Sequence, residues 1–68
     1  MNESLAEALP KEQARVREVL GHYKAIGPAG FFGASMIEVE LAKADRAAAS
    51  GDVVAMIRAL ESLKEIND

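Results

Sequence analysis

An all-α fold is predicted, either a small three-helix bundle or a helical-hairpin assembly, with the second and third helices antiparallel. Three observations carry that expectation. Apolar residues recur at the 3.6-residue helical period in three successive stretches. Thirteen alanines against three aromatics suit closely packed helices better than sheets. Clusters of glycine, proline, serine and aspartate separate the stretches near residues 27–33 and 50–52.

The chain opens with residues 1–9, read as a flexible or short helical leader ahead of one helical domain at 10–68. Ser4 and Glu7 match a capping box, so a helical turn is expected there, with Pro10 stopping it and starting the next helix. That first full helix spans residues 10–26. Val16, Val19, Leu20, Tyr23 and Ile26 form its apolar stripe, and Lys11, Arg15, Glu18 and His22 its polar face. Gly21 costs a helix interior about 1 kcal/mol against alanine, which a close backbone crossing at that point would explain.

Residues 26–35, Ile-Gly-Pro-Ala-Gly-Phe-Phe-Gly-Ala-Ser, close one helix and open the next. Gly27 suits a left-handed helix end, and Pro28 suits a first helical position, where its missing N–H goes unneeded. The second helix starts either at Pro28 or after Ser35 acting as N-cap with Glu38, and the earlier start is preferred. It lets Gly30, Ala34, Ile37, Leu41, Ala44 and Ala48 continue one stripe to about Ser50. Gly51 ends that helix and Asp52 caps the third, which runs from Val53 to about Ile66. Its expected buried face is Val53, Met56, Ile57, Leu60 and Leu63, with Arg58, Glu61 and Lys64 paired on the surface.

Length and charge exclude several functions. A 68-residue chain buries about 60% of its unfolded surface, so self-association or a partner is a natural supplement. There is no cysteine to staple it. Residues 1–10 show no signal-peptide pattern, no segment approaches the ~20 apolar residues of a membrane span, and a cytoplasmic, non-membrane protein is expected. A net charge of −3 disfavours nucleic acid, and residues 52–68, with two basic and four acidic side chains, make a poor groove-reading helix.

Four constellations are candidates for function. Gly27, Gly30 and Gly33, spaced by three ahead of a helix, could present amides to an anion or nucleotide, with Tyr23 as a stacking surface and Ser35 nearby. No Gly-Lys-Ser/Thr follows, so this is not a P-loop, and tight helix packing explains the glycines as well. His22 lies one turn from Glu18, but a lone histidine supports neither a metal site nor a serine relay, and a solvated pair is expected. Glu38, Glu40, Asp45, Glu61 and Glu65 alternate with Lys43, Arg46 and Lys64 and read as hydrated surface. No catalytic residue, metal or cofactor is expected.

The fourth constellation points to partners. Phe32, Met36 and Val39 lie on the side of the second helix away from its main stripe, where a three-helix bundle would leave them exposed. They are the expected protein interface.

Two resemblances accompany these readings. Ala44, Ala48, Gly51-Asp52 and Ala59-Leu60 make a hairpin that resembles one tetratricopeptide-type unit, an architectural likeness only, since such repeats need about three neighbours. Residues 26–33 with residues 49–64 resemble small uncharacterised helical proteins of tailed phages and prophages. That resemblance implies an accessory or host-modulating role, often by binding, with a host factor as the expected partner, and it brings no functional residues with it. The leading expectation is therefore a non-enzymatic interaction protein, a homo-oligomer that binds a protein partner. The alternative is a small-ligand binder using the glycine-rich junction.

Overall fold

A computed structural model describes residues 3–68 as three helices joined by short turns. Helix α1 covers Leu5–Ile26, a single 3₁₀ turn covers Pro28–Gly30, α2 covers Phe31–Ser50 and α3 covers Val53–Lys64. All three helices pack against one another. Asp45 of α2 meets Gln13 and Arg17 of α1, while Glu38 meets Lys24, so α1 and α2 run antiparallel. Arg15 reaches the Leu63 carbonyl and Tyr23 that of Asn67, so α3 returns parallel to α1 and antiparallel to α2. The result is an up-down-up bundle about one core.

Helix α1 begins five residues before the expected start. Ser4 caps it, its Oγ accepting from the Glu7 amide at 3.3 Å and donating to Glu7 Oε1 at 2.9 Å. Pro10 does not stop it but sits inside the second turn. The cost of an interior proline, about 3 kcal/mol, has compensation close by. Leu9 is 1% exposed, and burying a leucine contributes about 2–3 kcal/mol, with roughly 1 more from the cap. Residues 1 and 2 of the expected leader lie outside the described residues.

The core is Leu9, Val16 and Val19 from α1, Ala34, Ile37, Leu41, Ala44 and Ala47 from α2, and Leu63 from α3. Leu20, Tyr23, Met56, Ala59, Leu60 and Ile66 pack around it. Four predicted stripe positions differ. Ile26 is exposed because α1 ends there, past the last turn that α2 and α3 cover. Ala48 is exposed and Ala47 buried, since Ala47 lies on the side of α2 toward the cleft that Ala55 and Ala59 of α3 also line. Val53 and Ile57 are exposed because α3 buries the neighbouring edge, Met56, Ala59 and Leu60, instead. Ile66 lies beyond the end of α3, which stops at Lys64, but still packs on the core.

Both turns follow glycine chemistry. Gly27 (φ 92°) and Gly51 (φ 73°) carry positive φ, and the Asp52 carboxylate accepts from the Ala55 amide at 3.2 Å to cap α3. The second helix enters through the Pro28 turn, the earlier of the two expected starts, and Ser35 lies within α2 rather than at its cap.

Candidate interaction surface

The glycine-rich junction is built around Tyr23. A Cβ on Gly30 would run into the Tyr23 backbone carbonyl, and one on Gly33 would stand 2.6 Å from the Tyr23 ring. These two glycines let the start of α2 press against the end of α1. The expected crossing at Gly21 is not there: Gly21 is exposed and an added Cβ would meet nothing within 4 Å.

Of the five residues expected to hold a ligand, the structure brings together Tyr23, Gly30 and Gly33. Gly27 forms the turn, and Ser35 is exposed, some 200° round the helix from Gly33. Two of the amides at this helix start are already spent, Gly30 N–H on the Gly27 carbonyl at 2.9 Å and Phe31 N–H on the Pro28 carbonyl. The Tyr23 hydroxyl donates to the Asn67 carbonyl at 3.3 Å. Tyr23, Gly30 and Gly33 thus pack against one another.

His22 does not pair with Glu18. Its Nδ1 lies 2.9 Å from the Asp68 carboxylate, so the histidine ties the chain's end back to α1. No group of three metal-ligating side chains is assembled among the described residues. Nor do Arg58, Glu61 and Lys64 form the expected surface pairs among those residues; the i,i+3 pairs are Glu12–Arg15 and Glu40–Lys43.

The outer face of α2 is where apolar surface accumulates. Phe32 is 80% exposed, Met36 55% and Val39 52%, and the three follow one another at steps of four and three residues along one row. Ile26 and Phe31, both exposed, add apolar area at the same end of the bundle. Continued at steps of four and three, the row reaches Lys43 and Arg46. The sequence carried this signal, since the same period that groups Phe32, Met36 and Val39 extends to both cations. Lys43 and Arg46 also line an open cleft between α2 and α3, opposite Arg58.

A second apolar set, Val53, Val54 and Ile57, lies exposed on α3. Sequence reading missed Val54 and took the other two as core. No described helix is long and apolar enough to cross a membrane. Against protein-family models, curated proteins and solved structures, the chain matches none.

Proposed function

We propose that the chain is a non-enzymatic helical interaction protein that self-associates through the outer face of α2. One observation carries this: Phe32, Met36 and Val39 stand in a single row with at least half of each side chain in water. Exposed area of this kind is worth about 25 cal/mol per Å² once covered, and a contiguous patch on a small domain marks a contact surface. A 68-residue bundle also has much to gain from assembly.

The test is solution mass by light scattering after size exclusion, over a range of concentrations. The wild type is expected well above its 7.3 kDa monomer mass. Met36→Asp combined with Val39→Lys should return it to the monomer while leaving the helical circular dichroism intact. A wild type that stays at monomer mass, or a folded variant that assembles unchanged, defeats the reading.

A further inference from the structure

The α2 row is apolar in its first half and basic in its second: Met36 and Val39, then Lys43 and Arg46, at steps of three, four and three. One row on the outer face of α3 and its C-cap, flanked by Arg58 and Lys64, carries the complementary order. Val54 and Ile57 lead and Glu61 and Glu65 follow, at steps of three, four and four. Each row falls within about 80° of its helix at 100° per residue, and from its first apolar residue to its first charge each rises about 10 Å. All eight side chains are exposed. Among the described residues Arg46, Glu61 and Glu65 form no ion pair, and Lys43 reaches only Glu40, at 3.8 Å.

We propose that the occupant of the α2 face is α3 of a second copy, lying parallel to it in one fixed register. Met36 then faces Val54 of the next copy, Val39 faces Ile57, Lys43 faces Glu61 and Arg46 faces Glu65. This inference rests on the α2 face being the docking surface and adds what covers it. The pairing cannot be made within one chain, because there α2 and α3 run antiparallel and the two rows would meet in opposite order. Nor do like rows fit one another. Two α2 rows laid parallel set cation on cation, and laid antiparallel about Met36 they join apolar side chains but leave Lys43 and Arg46 without anions. The two α3 rows fail in the same way with carboxylates. The α2-to-α3 pairing, taken parallel, matches apolar to apolar and also cation to anion.

Such a contact uses two different surfaces, so it is head-to-tail. It continues from copy to copy until it closes into a ring or grows as an open filament.

Charge reversal tests the pairing. Lys43→Glu with Arg46→Glu makes both rows acidic, and Glu61→Lys with Glu65→Lys makes both basic. Each variant alone should self-associate at least tenfold more weakly than wild type in light scattering, and an equimolar mixture should regain the wild-type mass. A Glu61→Lys/Glu65→Lys protein that assembles like wild type overturns the inference. If Met36→Asp/Val39→Lys still dissolves that assembly, the α2 docking surface stands and only its occupant is wrong. If neither pair of changes matters, both readings fall.

The chain has no cysteine, so a second measurement is clean. Val39→Cys with Ile57→Cys in one chain should oxidise to a ladder of multimers on a non-reducing gel, whereas either change alone should not cross-link. A disulfide dimer from Val39→Cys alone, or no ladder from the double variant, overturns the proposal.

Discussion

The Tyr23 ring occupies the place where a side chain on residue 33 would begin: a Cβ there would stand 2.6 Å from both Cδ2 and Cε2. Gly30 makes the analogous approach to the Tyr23 backbone, not its ring. The two glycines should therefore respond differently to loss of the ring. Gly30→Ala and Gly33→Ala should each destabilise by about 1–3 kcal/mol, the usual cost of overpacking. In a Tyr23→Ala background the Gly33→Ala penalty should vanish, and the Gly30→Ala penalty should persist because the carbonyl remains. A double-mutant cycle by urea unfolding reads both couplings. Equal relief of the two would show that the ring is not what confines Gly33.

Gly21 gives the opposite sign. It lies inside α1, exposed, with nothing near an added Cβ. Gly21→Ala should stabilise the fold by up to ~1 kcal/mol, by helix propensity and a less disordered unfolded chain. In a domain of this size that is a rise of several degrees in Tm. A fall in Tm would point to a contact in the assembly that one chain does not show.

Leu9 decides whether the start of the chain belongs to the core. Leu9→Ala should cost about 2–5 kcal/mol, as expected for a fully buried leucine, while Ile26→Ala should be close to neutral at its exposed position. Deleting residues 3–9 should destabilise at least as much as Leu9→Ala. Equal effects from Leu9→Ala and Ile26→Ala would contradict the packing.

These residues also show what was legible in advance. The three helices, their antiparallel turn and the capping residues Ser4 and Asp52 are local properties, set by period, by Gly51 and by hydrogen bonds three residues apart. The exposed row at Phe32, Met36 and Val39 was legible for the same reason, because the buried stripe on α2 fixes its opposite pole. Leu9 was missed because Pro10 has a strong local meaning that tertiary burial overrides. Ile26, Val53 and Ile57 keep the right period yet sit where no neighbouring helix reaches, which depends on how the helices are staggered. The His22–Asp68 contact joins residues 46 positions apart and leaves no trace in local pattern.

Arg15 makes another long-range tie that sequence could not show. Glu12 holds its guanidinium through Nε and Nη2, and Nη2 also donates to the Leu63 carbonyl at 2.8 Å. That carbonyl belongs to the last turn of α3, whose acceptors lack helical partners, and it also takes the Ile66 amide at 3.0 Å. Arg15 thus fixes the end of α3 and brings Ile66 onto the core. Arg15→Ala should lower stability by about 1–3 kcal/mol and speed hydrogen exchange of the Ile66 amide more than that of amides in the middle of α2. Arg15→Lys should restore less than half of the loss, because an ammonium lacks the planar fork that serves Glu12 and Leu63 together. Exchange at Ile66 that is unchanged in Arg15→Ala, or full recovery in Arg15→Lys, would reduce Arg15 to a surface partner of Glu12 and leave the end of α3 held by Leu63 and Ile66 alone.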